Sequence, residues 1–220
     1  MSRVTILDYG MGNLRSVQKA IEHIGGEAEV STTVPSSGRL IIPGVGAFGA
    51  AMECLGPMKA DIERFVAAGD PLLGICLGQQ LLFETSEELV DHGSSIADRS
   101  DPERSTILDR RSTYKGLSLI PGHVRYLHRV TGLKIPHVGW NAVTFRNDEG
   151  LGDGIEPGSS CYFVHSLITD CTDPNDVLAT TEYGETFASA VRHENVWGAQ
   201  FHPEKSGEVG LRMLKNFLRC

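Results

Sequence analysis

The sequence feature that most restricts the fold is a single cysteine between two glycines, where an apolar strand is predicted to turn into a helix. Residues 72–75 are short and apolar, Cys76 follows them, and Gly74 and Gly78 stand two residues before and after it. A strand that turns sharply into a helix strains its corner residue and brings flanking backbone so close that a Cβ would clash. The pattern therefore predicts a nucleophile elbow at the C-terminal edge of a sheet.

An elbow would place the Cys76 thiol at the first turn of a helix, where the helix dipole favours the thiolate, the form that attacks. The residues Leu81-Leu82-Phe83-Glu84 are predicted to continue that helix. The alternative is a buried structural cysteine beside two loop glycines, because cysteine is among the most often buried residues. Other groups in the chain have to decide between the two.

The chain before the elbow alternates between strand and helix patterns, which predicts a parallel sheet with helices on both faces. After Gly116 the strands become shorter and are separated by Gly and Pro turns, which predicts antiparallel additions and a mixed, mainly parallel sheet. The predicted strands are residues 4–9, 28–30, 39–42, 72–75, 124–127, 141–145, 160–164, 187–191 and 196–200. The predicted helices, besides that of the elbow, are residues 14–24, 57–68 and 207–218.

Length and composition predict one domain, residues 1–220, with a polar surface insertion at about 89–113. The net charge of −8 argues against nucleic-acid and anionic-membrane binding. No apolar run reaches the roughly 18 residues of a membrane-spanning helix, and the N-terminus leads directly into a strand without room for a signal peptide. The five cysteines are scattered, so we expect no disulfide framework, no metal site and a cytoplasmic location.

A base for the cysteine is predicted in Phe201-His202-Pro203-Glu204, which follows the strand at 196–200. In an extended segment residues i and i+2 face the same way, so Glu204 can lie beside the ring of His202. A carboxylate on one ring nitrogen fixes the tautomer and leaves the other nitrogen for a thiol. We therefore expect a triad of Cys76, His202 and Glu204, with a surface pair before the last helix as the alternative for the last two.

Acyl transfer also needs hydrogen-bond donors for an oxyanion. The backbone N–H of Leu77 and the loop Gly44-Val45-Gly46 are the candidates. The same loop continues to Gly49 and matches G-x-G-x-x-G, a dinucleotide-binding fingerprint. Its context disfavours that alternative, because the fingerprint belongs at the first strand–helix turn, with an acidic residue ending the next strand. Here the loop follows the third predicted strand, and the next strand ends at Cys76.

The stretches Gly74-Ile75-Cys76-Leu77-Gly78-Gln79-Gln80 and Phe201-His202-Pro203-Glu204 resemble the motifs of the class I (triad) glutamine amidotransferases. Within that family the chain resembles the glutaminase subunits of imidazole glycerol phosphate synthase, which belong to histidine biosynthesis. The narrower resemblance covers nearly the whole chain and rests on residues 8–17, 43–48, 136–141 and 202–206. It implies a flavodoxin-like α/β fold and no cofactor.

The resemblance also implies a reaction. Cys76 attacks the side-chain amide of glutamine, and His202, held by Glu204, protonates the departing ammonia and then activates water. A glutamyl thioester on the cysteine is hydrolysed to glutamate. Positions that match the family's glutamine site are Gln80 and the backbone of His165, Ser166 and Leu167.

The partner implied by the resemblance is a separate cyclase subunit, a (β/α)₈ barrel, which receives the ammonia within a heterodimer. Four residues match positions at or near its interface: Asn13, Arg15, Trp140 and Lys205. The residues alone allow other readings, since Asn13 suits a helix N-cap, Trp140 suits a core and His137 suits a satisfied loop histidine. In the family the oxyanion loop is misdirected until the cyclase binds its ligand, so we expect weak glutaminase activity without the partner.

The chain departs from the family pattern at two places. The polar stretch 89–113 is longer than expected, and Leu167 stands where the family usually has an aromatic residue. Two other functions remain open: a glutaminase subunit for anthranilate, aminodeoxychorismate or pyridoxal phosphate synthesis, and an inactive scaffold that only binds a barrel. Residues 8–16 and 139–141 argue against the former, and the presence of all three triad residues argues against the latter.

Overall fold

The computed structural model describes residues 3–88, 113–146 and 150–220. Its helices are α1 Leu14–His23, α2 Phe48–Leu55, α3 Lys59–Ala67, α4 Leu77–Leu81 and α5 Gly207–Phe217. Its strands are β1 Arg3–Leu7, β2 Glu27–Ser31, β3 Arg39–Gly44, β4 Leu72–Cys76, β5 Phe83–Ser86, β6 Tyr114–Lys115, β7 Ile120–Tyr126, β8 His137–Phe145, β9 Ser159–His165, β10 Leu167–Cys171, β11 Val177–Glu182, β12 Thr186–His193 and β13 Val196–Ala199. No helix in these ranges is long and apolar enough to cross a membrane.

The sheet is mixed, as predicted, and its parallel part carries the elbow. Strands β2, β1, β3, β4 and β13 lie side by side and run parallel. Beyond β13 the pairing becomes antiparallel through β12, β10 and β7, and β5 then runs parallel to β7. A branch from β12 continues through β11 and β8 to β9. The predicted antiparallel additions after Gly116 are thus confirmed.

Helices cover both faces of the parallel part. Apolar side chains of α1 and α5, such as Ile21 and Leu214, pack with Ile41 of β3 on one face. Leu40 and Ile42 of the same strand pack with α2 and α3 on the other face. A strand buried on both faces needs apolar residues in succession rather than in alternation. This requirement explains why residues 40–43 of this strand form a continuous apolar run.

One expectation about the chain after the elbow is wrong. The helix after Cys76 ends at Leu81, and Phe83 begins a strand that pairs with Ile120 of β7. Leu81, Leu82 and Phe83 are all fully buried, and a short buried apolar run suits a helix and a strand equally well. Helix α2 was not predicted. The proposed insertion at 89–113 lies, apart from Thr113, outside the described residues.

Candidate active site

Three neighbouring strand ends bring the candidate catalytic segments together. In the parallel register Gly44 of β3 lies opposite Cys76 of β4, and Ala199 of β13 lies opposite Ile75 on the other side. The loop after β3 and the segment that leads to His202 therefore flank the cysteine at the C-terminal edge of the sheet. This edge is where open parallel sheets bind their ligands.

The predicted elbow at Cys76 is present. The residue joins β4 to α4 with φ +56° and ψ −111°, a conformation that L-residues rarely adopt. A Cβ on Gly74 would lie 2.5 Å from the carbonyl oxygen of Gly78, and a Cβ on Gly78 would lie 1.9 Å from that of Ile42. Both flanking positions thus require glycine because backbone of another segment occupies the space.

The Cys76 side chain is 6% exposed. Its Sγ lies 3.8 Å from the carbonyl oxygen of Val164 and 3.8 Å from Nε2 of Gln200. Burial alone fits a structural cysteine, but a core cysteine does not need a strained backbone that costs about 1–3 kcal/mol. The strain therefore favours the nucleophile over the structural alternative.

His202 and Glu204 form a buried pair. Nδ1 of His202 lies 2.8 Å from Oε1 of Glu204, and the two side chains are 2% and 1% exposed. The alternative of a surface pair is therefore wrong. The expectation that an extended segment aligns them is also wrong, because Pro203–Lys205 forms a 3₁₀ turn. Only His202 is extended, and the turn after it carries the carboxylate back to the ring.

The environment of His202 favours its imidazolium form. Burial lowers the pKa of the ring, but the neighbouring Cys76 and Glu204 side chains outweigh it and raise the pKa to about 9. Nε2 is buried and makes no hydrogen bond to any described residue. Cys76 is thus close enough to the ring to raise its pKa, without meeting the geometry of a hydrogen bond to Nε2. A proton donor of this kind suits a departing amine.

A serine that sequence reasoning missed holds the His202 segment against β9. Ser206 Oγ donates a hydrogen bond to the His202 carbonyl oxygen at 2.6 Å and accepts one from the Tyr162 N–H at 3.0 Å. The His202 N–H donates in turn to the Tyr162 carbonyl oxygen at 2.9 Å. Ser206 is 2% exposed. The only sign of this role in the sequence is that a small polar residue stands four positions after His202, just before the last helix.

The candidate oxyanion loop touches the start of α4. A Cβ on Gly44 would lie 2.8 Å from Cβ of Leu77, which is the first residue of that helix. Gly46 has φ +107°, and Val45 between the two glycines is exposed. Below the loop, the Tyr9 hydroxyl donates to the Pro43 carbonyl oxygen at 2.8 Å. The glycine-rich segment and the Leu77 backbone thus lie on one side of the cysteine.

The candidate glutamine-binding residues meet at the Leu167 carbonyl oxygen. It accepts from Gln80 Nε2 at 3.2 Å and lies 2.9 Å from Nδ1 of His165. Ser166 is half-buried and its carbonyl oxygen accepts from the N–H of Leu127 at 2.9 Å. Gln80 also donates to Oε1 of Gln200 at 3.0 Å, and Gln200 reaches the thiol. Sequence reasoning missed Gln200, although it is the residue that follows β13.

The candidate interface residues are exposed. Trp140 is 59% exposed and packs edge-on against Tyr162, with ring centroids 6.0 Å apart. The Lys205 ammonium lies 5.9 Å from the centroid of the same tyrosine ring. The alternative that Trp140 belongs to a core is therefore wrong.

Asn13 and Arg15 are exposed at the start of α1, which contacts the turn that contains Lys205. Asn13 occupies the N-cap position of α1, but its side chain makes no capping hydrogen bond. Among the described residues, no group of three or more His, Cys, Asp or Glu side chains is arranged to hold a metal ion.

Comparison of the sequence with known protein families identifies the class to which this fold and this arrangement of strand ends belong. The family profile described as glutamine amidotransferase class-I matches residues 5–220. The chain belongs to this family.

Among its curated relatives, imidazole glycerol phosphate synthase subunit HisH of Methanosarcina barkeri is 44% identical over 99% of this chain and 98% of its own length. The subunits of the same name from Syntrophotalea carbinolica and Bacillus cereus are each 43% identical over 97% of this chain, and over 98% and 93% of their own lengths.

Solved structures agree on the fold. PurLQS from Thermotoga maritima superposes with a TM-score of 0.67 at 19% identity, covering 99% of this chain and 97% of that chain. A structure described as glutamine amidotransferase superposes with a TM-score of 0.66 at 19% identity, covering 98% and 97%. At these identities the likeness shows the fold alone, a mixed α/β sheet with flanking helices.

Proposed function

We propose that this chain is the glutaminase subunit of an imidazole glycerol phosphate synthase. The observation that carries the proposal is the arrangement of Cys76 on its elbow next to the buried pair of His202 and Glu204, at adjacent strand ends. Relatives that bear the name of that synthase subunit match 97–99% of the chain. The chain acts as one amidotransferase domain, residues 1–220, in the cytoplasm.

In the first half-reaction the Cys76 thiolate attacks the side-chain amide carbon of glutamine. A tetrahedral oxyanion forms, and the N–H of Leu77 and the Gly44–Gly46 loop are the proposed donors that stabilise it. His202 in its imidazolium form gives a proton to the nitrogen as the C–N bond breaks. The products of this step are ammonia and a glutamyl thioester on Cys76.

In the second half-reaction neutral His202 takes a proton from a water molecule, which attacks the thioester carbon. The C–S bond breaks, glutamate leaves, and the thiolate and imidazolium forms are restored. Glu204 keeps the ring in one orientation and stabilises its positive charge throughout. Gln80 and the backbone of residues 165–167 hold the glutamine, and no metal or cofactor takes part.

The ammonia passes to a cyclase partner with a (β/α)₈ barrel, which uses it to make imidazole glycerol phosphate and aminoimidazole-carboxamide ribotide. The exposed Trp140 and Lys205, which share contacts with Tyr162, support an interface on this side of the molecule. Asn13 and Arg15 on α1 extend it. Because Gly44 and Gly46 make a peptide reorientation around Val45 inexpensive, the loop is the element through which a partner controls turnover.

The test is glutamate release by the chain alone, with the cyclase, and with the cyclase plus its nucleotide ligand. We expect weak activity alone and strong stimulation by the last combination. Equal turnover under all three conditions would contradict control by the partner. Stimulation by a synthase component for anthranilate, aminodeoxychorismate or pyridoxal phosphate, and not by the cyclase, would assign the chain to one of those pathways.

A second arm identifies the nucleophile. In the complex, Cys76→Ala is expected to abolish glutamine-dependent synthesis and to leave ammonia-dependent synthesis intact. Cys54→Ala, which alters an exposed cysteine of α2, is the matched control. If glutamine still supports synthesis in Cys76→Ala, the assigned nucleophile is wrong.

A further inference from the structure

The strand β8 has two faces, and the proposed partner accounts for only one of them. Val138 and Trp140 point outward and are 55% and 59% exposed. His137 and Asn141 lie on the opposite face, where His137 is 2% exposed and pairs across the ladder with His165 of β9. His137 is thus buried and Asn141 half-buried, and neither belongs to the Cys–His–Glu group.

The inward side chains form a hydrogen-bond chain with a defined direction. Asn141 Oδ1 accepts from the Ala142 N–H at 2.8 Å, so its NH₂ group faces the Glu182 carbonyl oxygen at 2.9 Å and His137 Nε2 at 3.3 Å. His137 Nε2 is therefore an acceptor, and its neutral ring carries hydrogen on Nδ1. Nδ1 of His137 donates to Nε2 of His165 at 3.0 Å.

The last bond of the chain leads to the candidate glutamine site. Because Nε2 of His165 accepts, its Nδ1 carries the hydrogen and donates to the Leu167 carbonyl oxygen at 2.9 Å. The same oxygen accepts from Gln80, which is linked through Gln200 to the Cys76 thiol. A single carbonyl group thus joins the inward face of β8 to the surroundings of the nucleophile.

The environment of both histidine rings keeps them neutral, which maintains the direction of hydrogen-bond donation from Asn141 towards the Leu167 carbonyl oxygen. Burial lowers the pKa of His137 to about 4 and that of His165 to about 3. Both rings are neutral at pH 7, as the chain requires, because a protonated ring has no acceptor nitrogen. His137 is also stacked between Phe163 and Tyr183, with ring centroids 4.8 Å and 3.9 Å away. The ring is fixed in orientation as well as in tautomer.

We propose that Asn141, His137 and His165 are positioning residues that hold the Leu167 carbonyl group, and with it the 165–167 backbone, in the geometry that binds glutamine. This inference rests on the proposed glutaminase function. The inference assigns His137 and Asn141 to glutamine affinity. Val138 and Trp140, on the outer face of the same strand, remain available to the partner.

Two substitutions at His137 separate hydrogen bonding from ring packing. His137→Phe keeps a ring between Phe163 and Tyr183 but removes the donor to His165. His137→Asn removes the ring but keeps an N–H donor at about the position of Nδ1. Thr144→Ala, an exposed residue of the same strand, is the control. Glutamate release is measured as a function of glutamine concentration in the complex with the cyclase and its nucleotide.

For His137→Phe we expect KM for glutamine to rise about tenfold while kcat stays within about threefold of wild type, because an unsatisfied buried partner weakens binding. His137→Asn is expected to restore most of the affinity. An unchanged KM in His137→Phe would overturn the inference alone. A KM that rises in His137→Asn and not in His137→Phe would also overturn it, by assigning the effect to packing. Wild-type protein that releases no glutamate would overturn the proposed function and the inference together.

A second measurement does not depend on turnover or on a folded variant. Long-range ¹H–¹⁵N correlation spectra of the full chain with ¹⁵N-labelled histidine report which ring nitrogen is protonated. At pH 7 we expect both His137 and His165 to carry hydrogen on Nδ1 only. Hydrogen on Nε2 of either ring, or on both nitrogens, would refute the chain of donors.

Discussion

His202 Nδ1 lies 2.8 Å from Glu204 Oε1, and neither side chain has more than 2% of its surface exposed. Bulk water therefore screens the pair only weakly, so the carboxylate acts on the ring more strongly than it would at the surface. Its second oxygen makes no hydrogen bond to a described residue, which leaves the histidine as its main partner. The raised pKa of His202 thus depends on this carboxylate together with the neighbouring Cys76 thiol.

Glu204→Gln keeps the shape of this pair and removes its charge. We expect kcat/KM for glutamine to fall by roughly 10²- to 10⁴-fold, because the neutral amide no longer stabilises the imidazolium. Glu208→Gln, which changes an exposed acid in the first turn of α5, is the control and should match wild type. Steady-state glutamate release measures both. A value for Glu204→Gln within twofold of wild type would remove Glu204 from the mechanism.

The raised pKa of His202 makes stability fall at alkaline pH. The folded-state pKa of about 9 exceeds the ordinary value of 6.5, so the stabilisation is fully present below pH 6.5 and is lost as the pH rises through 9. The loss is at most on the order of 3 kcal/mol. Urea unfolding at pH 6.5 and 9.5 measures it. His202→Gln should lose less stability over this range, and an equal loss would assign the effect to other groups.

Gly78→Ala tests the close approach at the elbow. The added Cβ would lie 1.9 Å from the Ile42 carbonyl oxygen, and backbone of two segments would have to move. We expect a loss of more than about 3 kcal/mol of unfolding free energy, or no folded protein. Gly56→Ala is the control, since nothing lies within 4 Å of its Cβ position. Urea titrations compare the two, and a Gly78→Ala variant as stable as wild type would contradict the observed packing.

Ser206→Ala removes the hydroxyl that joins the His202 carbonyl to the Tyr162 N–H. We expect a loss of about 1–3 kcal/mol of stability, because a buried backbone N–H loses its acceptor, together with a lower kcat from a less fixed His202. Ser206 makes no side-chain cap to α5, so helix capping does not account for the effect. Ser206→Thr keeps a hydroxyl and should recover both quantities. Recovery of neither would indicate a purely steric role.

Local patterns predicted the parts of the site that depend on local geometry. The glycines around Cys76 require a tight turn, whereas the closeness of His202 and Glu204 was predicted from an extended segment and is produced by a 3₁₀ turn. The end of α4 at Leu81 was not predictable in this way, because burial of residues 81–83 suits either secondary structure. Pairing of Phe83 with Ile120, 37 residues later in the sequence, decides between them.

Contacts between side chains on different strands could not be predicted from the sequence either. The link between His137 and His165 depends on the register of β8 with β9, and the role of Gln200 depends on its position beside β4. One signal was present: His137 and Asn141 alternate with Val138 and Trp140, the reverse of the usual polar-outside pattern. Such an inversion indicates an apolar surface outside and a polar network inside.

The pairing of Ile75 with Ala199 also bears on how the protein is made. Gln200, next to the segment of the candidate base, lies 124 residues beyond Cys76, so this contact carries the loop-closure cost of a long-range pairing. During synthesis the elbow leaves the ribosome long before β13 is available to pair with β4. A chain whose translation stops early therefore carries the cysteine without its proposed base. Incomplete subunits would release no ammonia into the cell.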